Sequence, residues 1–426
     1  MPPSKGDPAR RLLDDCFLHD RDRLHHQEAV NLLRERILPL TGSQTLPLDR
    51  ACGHILAEDI AAQRLVPPAD NSAVDGYAFA HADYLSTGGN LPVSARLAAG
   101  QIRSEPLIGA TAARIFTGAL MPPGADTVAM QEDCETGADG GVRIPAGLKP
   151  GANRRKAGED VKPGDIIAAA GSRLDARAIA ALASMGLAEV RVRTPLRIAL
   201  LSGGDELVEP GKSAGTGQIY DTNRHMLKAL LAGLPVEIDD LGILPDRPEV
   251  IEKTLASAAR SHDAILSSGG TSAGEEDHII ATLDRLGKRH LWQLAIKPGR
   301  PMSFGQIGDA VFFGLPGNPV ACLVCFLLYI RPALIRLAGA DWAEPRRYLL
   351  PAAFSTAKKP DRREFWRGMV VAGPQGRPAL DKFERDGSGL ITGLRRADGL
   401  IEVPEAVTSV KPGDLLRFIP WSEFGL

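Results

Sequence analysis

Cysteine is scarce: the 426-residue chain has five, too few for a disulfide scaffold. Cys322 and Cys325 form a C-x-x-C, but their surroundings are apolar and no second pair lies nearby. Buried thiols are therefore expected there, rather than a zinc or redox site. A charge excess is also lacking. The formal net charge is −2, so no general pull toward nucleic acid or an anionic membrane is expected. The N-terminal stretch MPPSKGDPARRLLDDC has no apolar core of the kind a signal peptide needs. One uncharged run, VFFGLPGNPVACLVCFLLYI, is long enough to suggest a membrane span. Its central PGNP breaks it, so a buried strand, a turn and a buried helix fit better. A cytoplasmic protein is the expectation. There is no G-x-x-x-x-G-K-[ST] and no H-E-x-x-H, which disfavours a P-loop nucleotidase and a zincin. The nine histidines show no ligand spacing, and His278 reads as a helix-start residue.

What is present is an ordinary globular composition, 44% hydrophobic and 24% charged. Residues 25–40 read as an amphipathic helix, with Val30, Leu33 and Ile37 on one stripe. From about 60 to 160, Gly and Pro punctuate short apolar runs such as TVAMQED and GVRIPAG, the pattern of short strands and turns. The phrase VKPGD occurs twice, at 161–165 and 410–414, and predicts two similar hairpins. Residues 195–340 alternate strand and helix: strands at 196–202, 236–244, 263–268, 290–296 and 310–315, helices at 222–234, 248–260, 276–287 and from 318. That alternation predicts a parallel sheet covered on both faces. The tail, 341–426, returns to short strands.

In an open parallel sheet, ligands bind beyond the carboxyl ends of the strands. Four loops leave strands in that direction: SGGDE (202–206), LPD (244–246), SGGTSAGEED (268–277) and LPGNP (315–319). Three carry carboxylates: Asp205 and Glu206, Asp246, and Glu275, Glu276 and Asp277. Gly-rich turns and helix N-termini hold anions, and clustered carboxylates hold hard cations such as Mg²⁺. Together they suggest a metal-bridged phosphate or phosphoanhydride. For any single loop, helix capping is the better account of the acids; three such loops at one sheet edge tip the balance toward function. Lys297 and Arg300 stand in a turn stiffened by Pro298 and Pro301, which suits a small oxyanion or a phosphate. Outside this region, Asp70, Asn71, Ser72, Asp75 and Gly76 crowd one Pro-led loop, more polar residues than a turn needs.

The phrases DNSAVDGYA, RIFTGALMPPGAD, RRKAGEDVKPGD, LLSGGDELVEPG, GQIYDTN, SGGTSAGEED, AIKPGRP and GLPGNPV run in one order along the chain. In that order the sequence resembles the MoeA family, the molybdopterin molybdenumtransferases that include the gephyrin E domain. The resemblance extends from about residue 24 to the C-terminus. It implies a multidomain α/β protein: a doubly wound molybdopterin-binding α/β domain, a β-rich inserted domain and a C-terminal β-barrel-like domain. The expected boundaries are 1–60 for an N-terminal helical, elongated part and 61–170 for the inserted domain with its return. A linker follows at 171–194, the α/β domain at 195–340 and the C-terminal β domain at 341–426. The implied reaction inserts molybdenum from molybdate into adenylylated molybdopterin and releases AMP, with Mg²⁺. The implied assembly is a homodimer with its active site across the interface. A molybdopterin adenylyltransferase and apo-molybdoenzymes are the expected partners.

The resemblance also assigns residues. Glu206, Asp246 and Asp277 resemble the acids of the nucleotide and metal pocket, and Asp75 an essential acid from the partner subunit. Thr117 and Asp160 resemble functional positions of the inserted domain. Lys297, Arg300, Pro301, Arg367 and Ser388 resemble the molybdate site. The loops around Ser202 and Gly203, around Gly269, Gly270, Ser272 and Gly274, and at Pro316, Gly317, Asn318 and Pro319 correspond to substrate-binding segments. Two positions depart: Ala321 stands where the family commonly has Ser, and Gln293 where it often has a basic residue. Two other readings are an adenylyltransferase acting on molybdopterin, which would consume ATP without molybdate, and a non-catalytic scaffold of the gephyrin type.

Overall fold

The computed structural model describes residues 23–269 and 278–426. The chain divides into two compact units. Of the described residues, one gathers those up to Glu58, Ala170–Leu174 and those from Val190 to Leu426; the other comprises Asp59–Ala169 and Asp175–Glu189.

The first unit is built on a six-stranded sheet. Its strands are β1 (Leu196–Gly203), β2 (Val236–Leu244), β3 (Ala264–Ser268), β4 (Lys288–Gln293), β5 (Pro301–Ile307) and β6 (Ala310–Leu315). The spatial order is β2-β1-β3-β6-β5-β4. The helices between them are α1 (Thr222–Leu231), α2 (Pro248–Ser261), α3 (His278–Leu286) and α4 (Pro319–Cys325). β3 and β6 are buried along their whole length, as their unbroken apolar sequences require between two helical layers. Successive residues point to opposite faces. Leu200, Leu266 and Phe313 join the core on one side, and Leu201, Ile265 and Phe312 the core on the other. Each such side chain contributes about 1.5–3 kcal/mol of burial.

The expected parallel sheet holds for β2, β1, β3 and β6. β5 and β4 run antiparallel. Only two residues, Gly308 and Asp309, separate β5 from β6, and so short a link permits a hairpin but no crossover. The single strand expected over 290–296 is also two elements. β4 ends at Gln293, and Ile296–Lys297 pairs in parallel with Arg363 and Glu364 of β7 (Arg363–Ala372), in a second sheet. Leu294, Ala295 and Ile296 are buried in the passage, so their apolar run does not reveal where one sheet ends.

α4 continues through a π-helical turn, Phe326–Ile330, into Arg331–Leu337. It is long and apolar enough to cross a membrane, but it is mostly buried in the protein. Cys322 and Cys325 lie within it, free and fully buried, and burial pushes both thiols up. The buried-thiol reading therefore fits the structure.

The second unit is a six-stranded sheet in the order Thr127–Met130, Gly76–Phe79, Ala112–Ile115, Asn90–Leu97, Gly141–Arg143, Glu135–Thr136. Tyr77, Phe79, Tyr84 and Leu91 form part of its core. The two VKPGD phrases make matching turns. The Lys162 N–H donates to Asp165 Oδ2 at 2.8 Å, and the Lys411 N–H to Asp414 Oδ2 at 2.8 Å. They are turns but not hairpins, because the flanking strands pair elsewhere: Ile166–Ala168 with Ile60–Ala61, and Ser409–Val410 with Thr356–Ala357. Turn chemistry fixes the reversal and leaves the choice of strand partner to the rest of the fold.

Candidate functional site

The carboxyl ends of β1, β3 and β6 open onto a cavity of about 340 Å³ lined by Gly203, Glu206, Tyr220, Asn223, Ser268, Gly269 and the 317–319 turn. Ser202 is fully buried beneath it. At Gly203 an added Cβ would stand 2.5 Å from Ile279 Cδ1, which shows how closely α3 approaches. Asp246, at the end of β2, is tied to Asp205. The Asp205 N–H donates to Asp246 Oδ2 at 3.2 Å, and the Asp246 N–H to Asp205 Oδ1 at 3.1 Å. The loops of β1 and β2 therefore meet as expected, with Asp205 as the tether, while Glu206 faces the cavity. Asp277, Gly270, Ser272, Gly274, Glu275 and Glu276 lie outside the described residues. Among the described residues no three metal-binding side chains converge on one point.

A further carboxylate on this wall, Asp221, is spent internally. It caps α1, and its Oδ2 accepts from Arg224 Nε at 3.0 Å. Arg224 also pairs with Asp240 at 2.5 Å and with Glu209. Burial opposes its charge, but the Glu209, Asp240 and Asp221 carboxylates raise the guanidinium above its ordinary value.

Beyond the 316–319 turn lies a second cavity, of about 720 Å³, bounded by residues 296–301, 316–321, 362–367 and 382–388. Six cationic side chains line it: Lys297, Arg300, Arg362, Arg367, Lys382 and Arg385. Two are neutralised, Arg362 by Glu364 at 2.8 Å and Lys382 by Asp386. Among the described residues Lys297, Arg300 and Arg385 have no ion pair. Arg367 is the most constrained. It is 6% exposed, donates to the carbonyls of Leu390 (2.9 Å) and Arg385, and stacks 4.7 Å over the Phe383 ring. Burial lowers its pKa, with Asp386 opposing. A buried guanidinium held by carbonyls and aimed at a cation-rich cavity is the arrangement for an anion.

The turn carrying Lys297 and Arg300 is fixed from below. Gly299 has φ +104°, and an added Cβ would lie 2.6 Å from Cys325 Sγ. The Cys325 thiol donates to the Gly299 carbonyl at 3.4 Å. Gln293 accepts from Arg300 Nε at 2.9 Å, so the departure at this position holds a cation in place rather than supplying one. Ala321 lines the same cavity as a buried apolar wall. Pro301, Pro316 and Ser388 line it too, and the Ser388 carbonyl accepts the Val320 N–H at 3.0 Å.

The remaining expected residues belong to the second unit. Asp75 Oδ1 accepts from both the Thr117 N–H and Oγ1, each at 2.8 Å. These bonds, backbone first, with Arg114 assisting, hold its carboxyl below the ordinary value. Asp70, Asn71 and Ser72 serve the loop itself. Asp70 accepts the Ala157 N–H at 2.8 Å, Asn71 and Ser72 pair with Arg155 and Arg154, and Ser72 Oγ donates to the Val74 carbonyl. Asp160 is exposed, and its side chain has no partner among the described residues. Sequence reasoning missed Arg362, Lys382 and Arg385, which come from segments whose residue types alone read as a solvated surface. It also missed Asn223, which lay inside a quoted phrase but looked like a helix-start residue.

Three family models match in order. They are the MoeA N-terminal region (domains I and II) at 24–186, the probable molybdopterin binding domain at 199–336, and the MoeA C-terminal region (domain IV) at 350–421. A molybdopterin molybdenumtransferase from Haemophilus influenzae is 38% identical over 93% of this chain and 98% of its own. One from Nostoc is 36% identical over 87% of each. The molybdopterin biosynthesis MoeA protein structure from Pyrococcus horikoshii superposes with a TM-score of 0.78 at 27% identity, covering 94% of this chain and 100% of its own.

Proposed function

The chain belongs to the MoeA family of molybdopterin molybdenumtransferases, and from that premise we propose that it transfers molybdenum from molybdate into adenylylated molybdopterin, releasing AMP. The observation that carries this reading is the pair of cavities meeting at Gly317 and Asn318. One is rich in unpaired cations, and the other carries a carboxylate on a Gly-lined strand edge. Molybdate is a tetrahedral dianion, and Lys297, Arg300 and Arg367 supply the charge and donors it needs. Arg367, already held by two carbonyls, loses little freedom on binding. Ser388 and the 297–301 turn complete that cage.

Substrate enters the smaller cavity, where Ser202, Gly203, Gly269 and the 316–319 turn form the floor. Glu206 on this wall and Asp246 at the neighbouring strand end offer only oxygen, the donor type that would suit Mg²⁺; Asp277 is the proposed third carboxylate. When bound, the cation offsets charge on the phosphoanhydride and on departing AMP. Asp75, with Thr117 holding it ionised, and Asp160 act on the partner subunit's site in a homodimer. The proposed domains are 1–60, 61–170 with a linker at 171–194, 195–340 and 341–426.

The test supplies the purified protein with adenylylated molybdopterin, Mg²⁺ and molybdate. Expected is molybdate-dependent AMP release, with product that reconstitutes an apo-molybdoenzyme. AMP release indifferent to molybdate, with no reconstitution, would sink the reading.

A further inference from the structure

We propose that Asn223 is a recognition residue of the smaller cavity, its carboxamide oxygen accepting a hydrogen bond from the exocyclic amine of the substrate's aminopyrimidinone ring. The inference rests on the molybdopterin reading above. Asn223 sits in the first turn of α1 and is 5% exposed. Its Nδ2 donates to the Gly317 carbonyl at 2.7 Å. That bond fixes the amide's orientation, because a flipped amide would set oxygen against oxygen. The other end, Oδ1, is then buried and has no hydrogen-bond partner among the described residues. A buried bare acceptor is costly, and here it belongs to a residue of the cavity wall. A donor carried in by the ligand would satisfy it.

The surroundings narrow the ligand. Glu206, on the same wall, adds a second acceptor. Ile219 and Tyr220, 58% and 46% exposed, add apolar surface to it. An acceptor-rich wall beside an aromatic and an aliphatic face complements a flat heterocycle with a donor edge. An aminopyrimidinone has such an edge, with an amine next to a ring N–H. The ribose hydroxyls of the adenylyl group are the competing donors. Asn223 would thus serve both cavities, one end of its amide on substrate and the other on the turn they share.

Calorimetric titration of the full chain tests this with three probes: 6-hydroxymethylpterin, the matching lumazine in which oxygen replaces the amine, and AMP. Wild type is expected to prefer the pterin to the lumazine by about 10-fold or more, and Asn223→Leu to lose that preference. Asn223→Asp, which keeps an acceptor but not the donor to Gly317, is expected to hold pterin within about 3-fold. Equal binding of pterin and lumazine by wild type, or no pterin binding, overturns the proposal without any variant having to fold. Equal loss in the Leu and Asp variants would reduce Asn223 to a prop for the turn and also overturns it. So does a loss confined to AMP, which would assign the donor to ribose. Molybdate-dependent AMP release judges the reaction separately.

Discussion

Arg367 concentrates the chemistry of the larger cavity in one side chain. It is a cation taken out of water with no ion pair among the described residues, and two carbonyls and the more distant Asp386 carboxylate offset its burial only in part. Arg367→Met keeps the stacking on Phe383 and removes the charge. It is expected to weaken molybdate binding by about 10- to 100-fold in calorimetry, with little loss in melting temperature because the buried charge goes too. Asp75 presents the opposite case, an acid held ionised by local donors. Thr117→Val removes one of the two, so the Asp75 carboxyl should rise toward the ordinary value of about 3.9 in an NMR titration. A carboxyl that did not move would mean that the backbone N–H alone sets it.

At the scale of elements, α1 is anchored by a charge cluster rather than by apolar packing alone. Arg224→Met would leave Asp221, 2% exposed, buried and unpaired, at an expected cost of about 3–5 kcal/mol in denaturant unfolding. The same cluster gives stability a pH dependence. Burial works against ionised Asp240, yet Lys228, Arg224 and the Gly242 N–H together depress its pKa. Its contribution is therefore present above the ordinary carboxylate value and lost as pH falls through the lower folded value. Stability should decline in that acid range in wild type, and less steeply in Asp240→Asn. The strands were legible at this scale wherever one environment surrounds them: the expected bounds of 236–244 and 310–315 match β2 and β6. They were not legible at 290–296, because both sheets bury apolar residues and neither leaves a mark at the crossing. The VKPGD turns failed similarly, since a turn encodes its own bend and not the partners of the strands it joins.

Across the whole molecule, sequence patterning foresaw that β1, β2, β3 and β6 end on one sheet edge, because a parallel sheet gathers its strand ends by topology alone. It did not foresee Arg362, Lys382 and Arg385, and Arg367 and Ser388 came only with the family resemblance, because residues so far along the chain meet the 297–301 turn only through tertiary packing. The proposed homodimer makes a test that no single-chain site could pass. Asp75→Asn and Lys297→Ala should each be nearly inactive. Mixed and re-equilibrated, they should recover about a quarter of wild-type activity, since half the dimers are mixed and each has one intact site. No recovery would mean that both residues serve the same subunit.

Gly317 and Asn318 are walls of two rooms at once. Any shift of this turn that tightens one ligand's grip alters the grip on the other, and linkage makes the factor identical in both directions. If molybdate and AMP occupy the two cavities as proposed, how strongly molybdate changes the affinity for AMP must equal how strongly AMP changes the affinity for molybdate. On that proposal, a few residues of backbone would give the two halves of the reaction a means of sensing each other's arrival and departure.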